Sequence, residues 1–183
     1  MNRVKKMIYF SLLLIVLCIG YSLHYFNQYH IDDSNVSIQS NLNNWLNRGN
    51  REQINANLIE VVRLNDSNSY IVLFQLENDD IGYSQLIKGL NGKFKIELVG
   101  YGTNVVSYED IRTNEGVYGI LLGKNPSLKI NHIFTKLIHE EFNFTTDVSK
   151  DELFVKYEKL PSELRETFPA EFIFYDGNNT VIP

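Results

Sequence analysis

Residues 70–101 read YIVLFQLENDDIGYSQLIKGLNGKFKIELVGY. Two turn signals, Asn78-Asp79-Asp80 and Asn91-Gly92, cut this stretch into three β-type runs. Asn-Gly between two such runs is the strongest short hairpin signal, because both residues accept the positive φ of a type I′ turn. A fourth run, NLIEVVRL (57 to 64), precedes them and ends at Asn65-Asp66-Ser67-Asn68. Four runs joined by short turns predict an antiparallel meander.

Upstream of the meander, Ile38, Leu42, Trp45 and Leu46 have helical spacing. Ser34 or Asn35 serves as N-cap and Arg48-Gly49-Asn50 as the stop, which gives an amphipathic helix of about thirteen residues. At an apolar helix position Trp45 reads as a core anchor rather than a stacking platform for a sugar or lipid. A helix followed by a meander predicts an α+β lobe over residues 27–112, with the helix covering one sheet face. The outline is similar to that of cystatin-like folds, and an outline carries no function.

Downstream, Gly100-Tyr101-Gly102-Thr103-Asn104 and Thr113-Asn114-Glu115-Gly116 bracket a less regular stretch, read as a join between lobes. The runs VYGILLGKN (117 to 125), EFNFTTDV (141 to 148), LFVKYEKL (153 to 160) and AEFIFYDGNNTVI (170 to 182) then predict a small immunoglobulin-like β-sandwich over residues 113–183. One segment conflicts with this. In residues 127–142, Ile130, Ile133, Phe134, Leu137 and Ile138 fit a helix at i, i+3, i+4, i+7 and i+8. Four β-branched residues and a place between strands favour a strand of irregular register; a helix would make the second lobe α+β as well.

The N-terminal residues decide location. Arg3, Lys5 and Lys6 precede a run, residues 7–26, without formal charge, and the first acidic residue is Asp32. Twenty helical residues at about 1.5 Å each reach across a hydrocarbon core roughly 30 Å thick. The basic end predicts a cytoplasmic N-terminus of six residues and an extracellular remainder, that is, a single-pass signal-anchor in the cell membrane. Met7, Leu12, Leu13, Leu14, Ile15, Val16, Leu17, Cys18 and Ile19 form its apolar centre. Lipid attachment to Cys18 would need a small residue before it. Leu17 stands there, so Cys18 reads as an apolar filler. Gly20-Tyr21-Ser22 offers small residues at −3 and −1 for cleavage, with the mature chain then starting at Leu23. Against cleavage, Tyr21, Tyr25, Phe26 and Tyr29 resemble the aromatic belt of a retained helix.

The chain has a formal charge of −5; leaving out Arg3, Lys5 and Lys6, the part after Phe26 carries −8. Such a surface repels nucleic acid. No cysteine follows Cys18, so the exported part must be held by burial rather than disulfides, as suits a bacterial envelope protein. In style, YGILLGKNPSLKI and FYDGNNTVI resemble membrane-anchored proteins of Bacillus-type bacteria, a likeness that implies location rather than activity.

No catalytic, cofactor-binding or metal-ligating residue is assigned. His132 and His139 would share a helix face and, with Glu140 or Glu141, suggest zinc, but no second histidine stands four residues from His139. Asp176-Gly177-Asn178-Asn179-Thr180 resembles the start of a calcium loop yet lacks the acid at the twelfth position, so a hairpin turn is expected. Gly-x-Ser-x-Gly is absent, and the Gly-rich residues 100–104 lack a third glycine. Tyr101, Tyr108, Tyr118, Tyr157 and Tyr175 suit a binding surface or a sandwich core equally. The expected function is non-enzymatic binding of a protein or cell-envelope partner at the membrane. Regulation of a membrane protein through helix contact, a secreted factor released near Ser22, and an envelope hydrolase are the alternatives, in that order.

Overall fold

The computed structural model describes residues 3–49 and 53–182. Two helices, α1 (Arg3–Gln28) and α2 (Asn35–Leu46), precede a chain of strands. These are β1 (Ala56–Arg63), β2 (Ser69–Leu76), β3 (Ile81–Lys88), β4 (Phe94–Gly102), β5 (Val106–Thr113), β6 (Gly116–Lys124), β7 (His132–Leu137), β8 (Asn143–Asp147), β9 (Leu153–Lys159), β10 (Ala170–Tyr175) and β11 (Val181–Ile182). The fold is α+β and its sheets are antiparallel.

The four expected runs form a meander sheet in the order β1-β2-β3-β4. Ser34 caps α2 by accepting from the Ser37 N–H at 3.3 Å, and the helix ends before Gly49, whose φ of +77° only glycine adopts at no cost. Asn50 of the expected stop lies outside the described residues. Ile38, Leu42 and Leu46 of α2 bury against Val72, Phe74, Leu86 and Phe94 on one meander face, with Trp45 packed alongside.

The residues expected to join two lobes form a regular strand instead. The finding corrects that expectation for Val106–Thr113. The physical reason lies in β5's two faces. Val106 and Tyr108 point into one core and Ile111 into another, so the short alternation Val106-Ser107-Tyr108-Glu109 breaks at Asp110 and the run does not stand out as a strand. β5 pairs with β6 across the tight turn at residues 113–116, where the boundary between lobes had been placed.

β5, β6 and β9 make a three-stranded middle sheet in the order β5-β6-β9, and β11-β10-β7-β8 an outer one. Ile111, Tyr118, Ile120, Leu122 and Val155 of the middle sheet pack on Leu64, Ile71, Leu73, Ile81 and Tyr83 from the meander side. Its opposite face, with Val106, Tyr108, Leu121 and Phe154, packs on Ile133 and Leu137 of β7 and on Val148. The layers therefore run α2, meander, middle sheet, outer sheet, and the middle sheet is covered on both faces.

Residues 127–142 contain no α-helix. A 3-10 turn, Pro126–Leu128, leads into β7, and β8 follows after a short connection. Ile133, Thr135 and Leu137 alternate inward along β7. Buried Asn125 makes the turn into β7 by hydrogen bonds: its Nδ2 donates to the Ile130 and Val148 carbonyls at 2.7 and 2.9 Å, and its Oδ1 accepts from Ile130 N–H at 2.8 Å.

Candidate functional site

α1 is long and apolar enough to cross a membrane, and none of its residues is buried against the rest of the chain. Cys18 is exposed on it, as are Met7, Leu12, Leu13, Leu14, Ile15, Val16, Leu17 and Ile19. The helix is unbroken across Gly20-Tyr21-Ser22, where Ser22 Oγ donates to the Cys18 carbonyl at 2.8 Å.

No long linker separates α1 from the β-rich part. Ile31, buried, forms a bridge with Phe94 of β4, with N–H···O distances of 3.1 and 2.8 Å in the two directions. Two asparagines then fix α2 over the meander by replacing backbone partners. Asn47 Nδ2 donates to the Ile54 carbonyl while its Oδ1 accepts from the Ile54 N–H, both at 2.7 Å, and Asn43 Oδ1 accepts from Ala56 N–H at 2.8 Å.

Between the exit of α1, the exposed side of α2 and β4 lies a groove of about 510 Å³. Its walls include His30, Asn41, Asn44, Trp45, Arg48 and Lys95. Arg48 lies with its guanidinium carbon 3.3 Å from the Trp45 ring centroid, a stacking that orients the cation. Lys95 pairs with Glu97 at 2.5 Å and stands 5.6 Å from the Tyr29 ring. The hydrogen bond to Glu97 holds the Lys95 ammonium above its ordinary pKa, so it stays charged across the neutral range. Two cations, amide side chains and an indole make a surface suited to hydrogen-bonding an anionic or hydroxyl-rich group. The groove brings together no nucleophile with a base.

Polar groups flank β5 on both faces of the middle sheet. Toward the meander, Tyr83 of β3 faces the Glu109 carboxyl; toward the outer sheet, Thr167 Oγ1 donates to Asp110 Oδ2 at 2.6 Å and Tyr108 Oη donates to the Thr167 carbonyl at 2.9 Å. Burial pushes the Glu109 carboxyl above its ordinary range; the Tyr83 hydrogen bond opposes this and the Asp110 charge adds to it. The folded chain therefore binds more protons than the unfolded chain just above the ordinary glutamate range, and stability falls as pH rises through that window. Glu109→Gln is expected to flatten this fall. Urea midpoints of both proteins across the acid-to-neutral range check it; parallel curves would refute it.

Among the described residues no three His, Cys, Asp or Glu side chains gather as a metal site. His132 stacks on Tyr175, with centroids 4.7 Å apart and planes at 10°. Glu140 accepts from the Arg165 and Glu166 N–H groups at 2.7 and 3.0 Å, which lowers its pKa and gives it a loop-fastening role. Asp176 Oδ1 accepts from Asn178 and Thr180 N–H, both at 2.8 Å, and thereby closes the β10–β11 turn. Sequence reasoning did not find Arg48, Lys95, Asn41 or Asn44 as a group. Asn41, Asn44 and Arg48 follow one another at i, i+3 and i+7 along α2 and its end, a spacing the sequence carries, whereas Lys95 comes from β4.

No protein-family model, curated protein or solved structure matches this chain.

Proposed function

We propose that this chain is a single-pass, membrane-anchored bacterial protein, with its N-terminus cytoplasmic, whose exported part binds a cell-envelope partner without chemical turnover. The observation that carries the reading is the groove's position. Its amides, stacked Arg48 and Lys95 sit at the point where α1 meets the β-rich part, which on this reading is the outer membrane surface. Envelope polymers and lipid headgroups are rich in the anionic and hydroxyl groups that such a groove accommodates.

A finer statement about the fold belongs with this reading. The seven strands β5 to β11 have the sheet orders β5-β6-β9 and β11-β10-β7-β8. Lettered A to G in chain order, these are A-B-E facing G-F-C-D, a seven-strand sandwich related to the immunoglobulin plan by a fourth strand placed beside the third. Binding modules are often built on such sandwiches, and the likeness is one of architecture only.

Trp45 is the only tryptophan of the chain, so its fluorescence reports on the groove alone. Titration of the full-length protein in detergent with fractionated envelope material is expected to shift that emission, and Arg48→Glu to weaken the response several-fold. A photo-crosslinker at position 44 on intact cells should capture the same component. An unchanged emission with every fraction, together with no crosslink, would remove the proposal.

Regulation of a membrane protein through α1 is the second reading. It is favoured by the direct fastening of α1 to the β3–β4 turn, since a helix so held passes a change in the exported part into the membrane. Exchanging residues 7–23 for an unrelated span leaves the groove intact and separates the two readings.

A further inference from the structure

The β3–β4 turn, Gly89-Leu90-Asn91-Gly92, contains an anomaly. Such tips favour Gly, Asn, Asp and Ser, yet Leu90 stands in this one with 98 % of its surface exposed, the highest value among the exposed large apolar side chains of the described residues. A leucine there contributes nothing to the core. It also has no role in the turn, whose closure rests on Gly92 N–H donating to the Gly89 carbonyl at 3.0 Å and Asn91 Oδ1 accepting from Lys93 N–H at 3.2 Å.

The turn is fastened to the outer end of α1. The Leu90 N–H donates to Tyr25 Oη at 2.6 Å, and Asn91 Nδ2 donates to the Tyr29 carbonyl at 2.8 Å. Tyr25 and Tyr29 stack with centroids 4.5 Å apart. Position 89 must be glycine for this approach, because a Cβ there would lie 2.5 Å from the Tyr29 ring and 2.8 Å from Tyr25 Oη. Leu90 is therefore held at the level of Tyr25, one residue from the end of the uncharged run.

That level has a physical meaning. Twenty residues span roughly 30 Å, so a helix that crosses the bilayer places Tyr25 where hydrocarbon gives way to headgroups. Tyr21, Ser22, Tyr25 and Phe26 of α1, with Leu90 and Asn91, line one cleft of about 290 Å³, so the exposed leucine continues the apolar and aromatic surface of the anchor. Lys88 and Lys93 flank the tip, paired with Asp33 and Asp32 at 2.8 and 2.9 Å. The arrangement is an apolar tip with charges set back from it, the order in which a bilayer surface presents hydrocarbon and then headgroups.

We infer that the β3–β4 turn is a second membrane contact, with the Leu90 side chain inserted into the outer leaflet beside α1. The inference rests on the reading of α1 as a membrane span. Two contact points fix the tilt of the exported part, where a lone helix would leave it free to swing.

The test uses the full-length protein, with Cys18→Ala, reconstituted into vesicles of phosphatidylethanolamine and phosphatidylglycerol. An environment-sensitive fluorophore is attached at Leu90→Cys, at Leu13→Cys in the anchor, or at Asn178→Cys in the β10–β11 turn. Lipids carrying a quencher at shallow or deep acyl positions then report depth. The expected result is quenching at position 90 by the shallow lipid, several-fold above that at 178, with position 13 quenched by the deep lipid. Quenching at 13 without quenching at 90 would overturn the second contact and leave the anchor standing. Lack of quenching at both would overturn the anchor and, with it, the contact. A blue-shifted label at 90 that no lipid quenches and that reverts on dilution would mean that another protein copy covers the tip, and would equally overturn the inference.

Discussion

Replacing Phe74 with alanine is expected to destabilise the folded part by about 3–5 kcal/mol. Phe74 is wholly buried on β2, between the face covered by α2 and its neighbour Phe94. Its ring also lies over Gly82, its cross-strand partner on β3, so closely that a Cβ at position 82 would overlap ring atoms. The aromatic ring takes up the space that glycine leaves, and its removal opens a cavity bounded by strand backbone that cannot collapse. Urea unfolding of the full chain in detergent micelles measures the loss. Gly82→Ala should be strongly destabilising alone, and only partly rescued in the Phe74→Ala background, because the added methyl also meets the Gly100 carbonyl oxygen of β4. A loss below about 1 kcal/mol for Phe74→Ala would mean that the α2 layer does not depend on this ring.

Asn125→Ala is expected to cost about 2–5 kcal/mol although no apolar contact is lost. The side chain has no exposed surface, and its three hydrogen bonds tie the end of β6 to the start of β7 and to Val148 after β8. Truncation leaves the Ile130 N–H and carbonyl without the partner that Asn125 supplies, while the Val148 carbonyl keeps the Asp151 N–H at 3.2 Å. Asn125→Asp separates the geometry from the shape. A carboxylate still accepts from the Ile130 N–H but turns an oxygen toward two carbonyls, so the buried acid favours its protonated form. That variant should be more stable in acid and lose stability as pH rises. Midpoints for both variants that match the parent protein would show that the loop is fastened by other means.

Legibility in the sequence followed local pattern. The meander was readable because each turn carries its own residues and because Asn91-Gly92 marks a hairpin unaided. α2 was readable from its spacing and from Ser34. β5 was not, since a strand covered on both faces loses its alternation and the pair Glu109-Asp110 resembles a loop. Residues 127–142 carry helical spacing by coincidence: of the residues that fill the pattern, Phe134 is only half-buried in β7 and Ile138 is exposed just past its end. Trp45 packs beside the core, as its spacing implied, and its other side lines the groove. One wall of the groove did have a trace, the polar stripe Asn41, Asn44 and Arg48 at helical spacing, but Lys95 joins it only after α2 has packed on the meander. Leu90 did leave a trace, an apolar residue inside the turn KGLNGK, which acquires meaning only when Tyr25 is seen beside it.

The middle sheet also sets an order of events during synthesis. The chain emerges N-terminus first, and the meander is complete once Gly102 has appeared. Ile71, Leu73, Ile81 and Tyr83 then present a bare apolar surface, and the strands that cover it, β6 and β9, are not both available until Lys159 has followed. For that interval the nascent protein is a half-covered sheet with four finished strands, the form in which β proteins stick to one another. Until the C-terminal half arrives, that bare meander face is the surface through which this chain would associate with another copy.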